Sequence, residues 1–254
     1  MSDTLVGTLP DAEPRVSQNE VAIETLGALF AGRLDLAELG EQIRQLTLRT
    51  VPIGLLSLGF IGAVLEEHAS REARRALVGL SQVGPIFMQL TVREFAPVLA
   101  GLLLAARAGS GIAAEIGWMA QTEQLDALEL SGRDAAAELF APRLAATLLA
   151  SVVTGFLGIA AASLAAGVFA TTQAGSSFAA FLSFQLVTPR DWLMFGCKVL
   201  ANGLAVPLAA VHSGLELGRK PDGVARATAA GVVRATLWVL AADVAIGASL
   251  WLLP

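Results

Sequence analysis

The sequence predicts an all-α membrane protein of about five spans. An amphipathic helix lies in the interface ahead of the first span, and a short helix sits outside the bilayer. Three observations predict this. Mean hydropathy is +0.65. Hydrophobic residues make up 55% of the chain and charged ones only 15%, well below the ~25% of soluble domains. In the middle of the chain Ala105, Gly109, Ala113 and Gly117 recur every four positions, a small-residue face that lets two membrane helices approach closely.

Residues 1–20 form a polar segment with Pro10 and Pro14. They carry Asp3, Asp11, Glu13 and Glu20 against Arg15 alone and have no apolar core, so neither a secretory signal nor a basic transit peptide is read there. From residue 21 to 50 a helical period appears in Leu26, Leu29, Phe30 and Leu34, then Leu36, Leu39, Ile43 and Leu46. Glu24, Arg33, Asp35, Glu38, Glu41 and Arg44 interrupt it too often for a span, which makes it an interfacial helix. A soluble helix packed on a partner is the alternative.

The remainder, 51–254, divides into spans at about 51–68, 78–107, 144–168, 192–212 and 232–253. The first is clearly apolar only from Val51 to Leu65, roughly 22 Å of helix against a ~30 Å hydrocarbon core. It must therefore continue into Glu66, Glu67 and His68, whose plainest reading is a solvated helix end. Pro85 and Pro97 predict kinks in the second span. After the third, Phe178 to Val187 reads as a short apolar helix ending before Pro189. The fourth contains Lys198, Asn202 and Pro207, and His212 marks its end. Ser213 to Arg226, with Gly214, Gly218, Pro221 and Gly223, reads as a polar loop. The fifth carries Arg234 near its start and Asp243 near its middle. Asp243 pairs with Arg93, Lys198 or Arg234, or is a packing acid at a helix interface.

Several function classes are excluded. A net charge of −5 without clustered Lys and Arg argues against nucleic acid. The single cysteine, Cys197, excludes an internal disulfide or a multi-cysteine metal site and reads as a small buried apolar residue. No phosphate-cradling loop is present, since neither Lys198 nor Lys220 follows a glycine. Nor is there an H-E-x-x-H or G-x-S-x-G pattern, so no catalytic residue, metal ligand or cofactor is assigned. Counted by side, eleven Lys and Arg against six favour an N-terminus in the cytoplasm, although Arg71, Arg74 and Arg75 cut against it. No internal repeat is visible, so a homodimer would supply any second half of a transport path.

The stretch from Arg93 to Asp134 organises the rest. Arg93 and Glu94 stand before the uncharged run Phe95 to Ala106. Each ionised group at a bilayer centre costs about 2.5–3.5 kcal/mol, while a leucine returns only about 0.3–0.6 kcal/mol. The pair must meet water, a counter-charge or a headgroup. The two readings are a packing ion pair and a cavity wall. Further on, Glu123, Asp126 and Glu129 fall three apart beside Leu125 and Leu128, and Ser131-Gly132 stops the helix. An acidic amphipathic helix following a membrane helix is suited to docking a soluble partner.

R-E-x-x-P-V-L at Arg93–Leu99, A-R-A-G-S at Ala106–Ser110, A-E-I-G-x-M at Ala114–Met119 and T-E-Q-L at Thr122–Leu125 followed by Glu129 resemble the MlaE/YrbE permeases. G-V-x-R-A-T at Gly223–Thr228 is a weaker echo of the same family. These permeases are membrane subunits of ABC transporters that work with MCE proteins on lipids. The resemblance implies a bacterial inner-membrane homodimer, a separate ABC ATPase, an MCE-type periplasmic partner and membrane lipids as cargo. A small STAS-type cytoplasmic subunit is a further partner of such systems. It also implies a lipid cavity at the level of Arg93 and Glu94, with Leu65 and His68 nearer its mouth. It makes the helix bearing Glu123, Gln124, Leu125, Asp126, Leu128 and Glu129 the cytoplasmic coupling helix. Glu66, Glu67 and His68 depart from the family's mostly uncharged pattern, which suggests a mouth suited to a different lipid or partner. The reading from another class is an ATP-independent membrane scaffold or channel; an ATPase encoded beside the gene discriminates the two.

Overall fold

A computed structural model describes residues 23, 25–27, 36–76, 79, 82–174 and 177–252. The polar segment 1–20 lies outside them, as do Leu29, Phe30 and Leu34 of the interfacial stretch. Among the described residues every regular element is a helix, and five are long and apolar enough to cross a membrane.

The first, α1, runs unbroken from Leu36 to Arg75 with Pro52 inside it. Forty residues reach about 60 Å, twice the hydrocarbon thickness. From Leu36 onward the interfacial stretch is therefore continuous with the first span, whose apolar window opens at Thr50. Glycine lets α1 lie directly on the third span: a Cβ on Gly62 would stand 2.5 Å from the Ala162 carbonyl oxygen.

The helix of the second span, α2, covers Val83–Gln121 and continues beyond Arg107. The extra turns are held by protein rather than lipid, since Ile112, Ala113, Ile116 and Ala120 are buried in the main core. The predicted small-residue stripe makes this contact. Gly109 faces Ala235, and Gly117 lies against Ala227. Two π-helical turns interrupt α2, at Thr91–Phe95 and Ala105–Gly109.

The short α3 (Gln124–Leu130) follows a left-handed Glu123 (φ 58°), and Leu125 fixes it to the main core. The third span, α4, is Ala136–Thr172 and opens with a π-turn at Ala136–Phe140. Two of these π-turns share a local sequence. Phe95-Ala96-Pro97 and Phe140-Ala141-Pro142 each end one, and the alanine N–H bonds five residues back, to Thr91 O and Ala136 O respectively. Proline supplies no N–H and crowds the carbonyl four residues before it, so the widened turn relieves the helix where a straight one would clash.

Of the helix predicted over 178–187, Phe178–Phe181 (α5) is helical and the rest is not. Thr188 is extended ahead of Pro189 and caps the next helix through a reciprocal bond with Asp191, so the chain must leave helical geometry before it. The fourth span, α6, is Pro189–Leu217 and the fifth, α7, is Gly223–Leu252. The predicted polar loop 213–226 thus shrinks to a turn. Gly214 lies inside α6 and Gly218 caps its end, and both are close-packing positions. A Cβ on Gly214 would meet the Ile116 side chain at 2.8 Å, and one on Gly218 would meet Gly117 O at 2.5 Å.

Candidate functional site

Arg93 and Glu94 lie on the first π-turn of α2, and each side chain is about one-third exposed. Arg93 Nε donates to Glu94 Oε1 at 3.2 Å. The other Glu94 oxygen accepts from Lys198 Nζ on α6. Lys198, wholly enclosed, also pairs with Asp243 Oδ1 on α7 at 2.9 Å. The sequence left Asp243 three candidate cations; the antiparallel packing of α6 on α7 selects Lys198. On the other flank Arg93 Nη1 stands 3.9 Å from Asp191 Oδ1. Asp191 is itself buried, and its Oδ2 accepts from the Thr188 N–H and hydroxyl, each at 2.8 Å, and from Gln89 Nε2 at 3.2 Å. One turn beyond Lys198, Asn202 Nδ2 donates to Pro97 O at 3.0 Å.

Three carboxylates and two cations from three spans thus form one cluster. Its geometry separates the roles. Both Glu94 oxygens are engaged, and Lys198 is enclosed. Arg93 keeps part of its five-donor fork uncommitted on a partly exposed edge, so it is the member with capacity for an outside anion.

Beside the cluster, Leu58, Ile61, Leu65, Phe95 and Leu99 line an apolar crevice between α1, α2 and α4. The Thr91 hydroxyl is buried in its wall without a hydrogen-bond partner. The structure therefore brings Leu65 beside Phe95, the neighbour of the charged pair. It does not bring in His68, which is exposed and outside the crevice. Glu66 corrects the reading of residues 66–68 as a solvated helix end: it is 1% exposed, accepts from Ser70 Oγ at 2.5 Å, and its second oxygen has no partner. Glu67 pairs with Arg71 at the surface.

At the far end of α2, the side chains of α3 divide by direction. Glu123, Gln124 and Glu129 are exposed, and Leu130 is 90% exposed. Leu128 is half-buried. Asp126 accepts from Arg219 Nη2 at 2.5 Å, which ties α3 to the turn between α6 and α7. Leu125 faces inward, so the apolar surface α3 offers a partner comes from Leu130, which the leucine spacing did not single out.

Sequence reasoning left Asp191 and Gln89 unnamed, and it held Lys198 only as a candidate partner for Asp243. Signals existed for two of them. Thr188-Pro189-x-Asp191 is a capping-box pattern, and an ionisable residue inside an apolar span is by default a functional candidate.

Residues 39–248 match a family model described as Permease MlaE. A probable ABC transporter permease protein of Rickettsia bellii is 31% identical over 195 residues, 75% of this chain and 74% of the relative. A probable ABC transporter permease protein of Synechocystis is 31% identical over 215 residues, 82% and 80% of the two chains. The intermembrane phospholipid transport system permease protein MlaE of Haemophilus influenzae is 31% identical over 209 residues, 80% and 78%.

Proposed function

Because the chain belongs to the MlaE permease family, a multi-pass membrane transporter subunit rather than a catalytic enzyme, we propose that it moves phospholipid for an ABC transporter powered by a separate ATPase. The observation that carries the cargo reading is Arg93. A half-committed guanidinium, braced by Glu94 and Asp191 beside an apolar crevice, presents donors for a phosphate next to a surface for acyl chains. The name of the Haemophilus relative supports the same cargo class. Two chains form the transport path as a homodimer, each contributing one charge cluster.

The ATPase seats on α3, where Glu123, Gln124, Glu129 and Leu130 are exposed around the buried anchor Leu125. This makes the α3 end cytoplasmic, with the N-terminus on the same side, and places the protein in a bacterial inner membrane. The helix preceding Thr50 lies at the cytoplasmic headgroup level, where Ile43 and Leu46 are half-buried and Arg44 is exposed. An MCE-type protein receives or delivers lipid at the periplasmic end, and a STAS-type subunit accompanies the ATPase.

Two variants test these assignments. Arg93→Gln, purified as a dimer from cells, retains several-fold less co-purifying phospholipid than the unaltered chain. Equal retention refutes the headgroup role. Reversing Glu123 and Glu129 to arginine releases the ATPase while the dimer stays in the membrane. Unchanged association and transport would remove α3 as the seat.

A further inference from the structure

Arg143 lies in the first regular turn of α4, straight after Pro142, and is 6% exposed. Its guanidinium is committed on every side. Nη2 donates to Glu115 Oε1 at 2.6 Å, Nε to Glu115 Oε2 at 3.3 Å, and Nη1 to Leu139 O at 2.6 Å. Glu115 stands on the last turns of α2, half exposed. The two residues lie 28 positions apart and close the chain segment that contains α3. Inside this loop Arg133 pairs with Glu138 (Nε–Oε1 2.9 Å), and the Ala136 N–H donates to Asp134 Oδ1 at 2.8 Å. Apart from this closure, α3 is attached by Leu125 in the main core and by Asp126–Arg219.

These attachments differ in what they transmit. The burial of Leu125 is non-directional, so the helix can slide or roll while the contact persists. The Asp126–Arg219 pair is about half exposed at both ends, where ion pairs hold weakly. The Glu115–Arg143 fork is planar and two-pronged and fixes an angle as well as a distance. It joins the end of α2, before α3, to the start of α4, after it. A third bond runs to the π-turn between them, through Leu139 O.

We propose that Glu115 and Arg143 are positioning residues that make α3 and the adjoining ends of α2 and α4 one rigid lever. A displacement of α3 by the ATPase then moves both spans together. This rests on the seating of the ATPase on α3. They act by setting how much of each ATP-driven displacement reaches the spans that carry Arg93, Glu94 and the crevice wall.

The test uses the complete transporter in proteoliposomes and reads phospholipid moved per ATP hydrolysed. Glu115→Gln keeps the side chain's shape and loses its charge. Arg143→Lys keeps the charge and loses the fork. In each, the complex assembles and hydrolyses ATP, and the lipid-to-ATP ratio falls about fivefold or more, the lower bound of typical inter-site coupling. The paired exchange Glu115→Arg with Arg143→Glu recovers part of the ratio. A ratio unchanged in both single variants overturns the proposal. So does transport that falls in strict proportion to ATP turnover, or loss of assembly in both variants, because either outcome marks a brace for folding alone. The control is Glu123→Arg with Leu130→Asp. If the ATPase stays bound and coupled in that variant, the seat on α3 is wrong and the lever falls with it. If the ATPase is released, the seat stands and the bridge is judged on its own ratio.

Discussion

Replacing Lys198 by methionine removes one ammonium group from a fully enclosed position and keeps most of its apolar stem. Glu94 then still has Arg93 Nε at 3.2 Å. Asp243, 15% exposed on α7, loses its ion-pair partner at 2.9 Å. Removing one member of a buried pair costs about 3–5 kcal/mol, because the other charge is left uncompensated in a weakly polarisable setting. Asp243→Asn is milder. Lys198 keeps Glu94, so no buried charge is left without a partner and the loss is smaller than for Lys198→Met. The discriminating measurement is the double variant. With Lys198 already gone, Asp243→Asn removes a stranded charge instead of a partner, so the two effects fall short of their sum by about 1–3 kcal/mol. The assay is unfolding by SDS in mixed micelles, followed by intrinsic tryptophan fluorescence. Additivity within about 0.5 kcal/mol would mean that the two groups do not interact in the folded protein, and the cluster would have to be redrawn.

Two further outcomes follow from the packing. Gly62→Ala drives a Cβ into the Ala162 backbone, with 2.5 Å to its carbonyl oxygen, and lowers stability by about 1–3 kcal/mol in the same assay; Gly111→Ala, with nothing within 4 Å, changes it far less, and equal effects would contradict the α1–α4 contact. Leu125→Ala empties a 4%-exposed site under α3, costs about 2–5 kcal/mol and increases proteolytic cleavage within 124–130; unaltered protease resistance would show that α3 is held by other means.

The spans were legible because apolar runs of that length have few alternatives in a chain with so little charge. Arg93 and Glu94 were legible for the converse reason, two charges set against an uncharged run. Helix ends were harder to read. The glycines at 214 and 218 carry the same composition whether they break a helix or admit a neighbour's backbone, and only Ile116 and Gly117 opposite them decide which. Arg107 looked like a membrane boundary, yet α2 continues because Ile112 and Ile116 have a protein core to enter. Glu66 looked solvated beside Glu67 and His68, but one helical position turns it inward to Ser70. Partners distant in sequence, such as Arg143 for Glu115 or Asp191 for Arg93, depend on which spans are neighbours, and hydropathy carries no record of that.

Each π-turn holds one residue more than the α-helix would need for the same turns. Deleting a single residue between Thr91 and Phe95 would close the widened turn into ordinary α-helix and leave the two flanking lengths of α2 facing the neighbours they face now. The second such turn, at Ala105–Gly109, could be lost in the same way with Glu115 still directed at Arg143. A deletion in the regular turns between them would instead rotate one end of α2 against the other by about 100°. The spacing between Arg93 and Glu115, twenty-two residues here, can therefore shorten by one at Ala105–Gly109 without parting the lever from its partner. A one-residue gap elsewhere in that interval would mark a permease whose charged pair and lever face different neighbours.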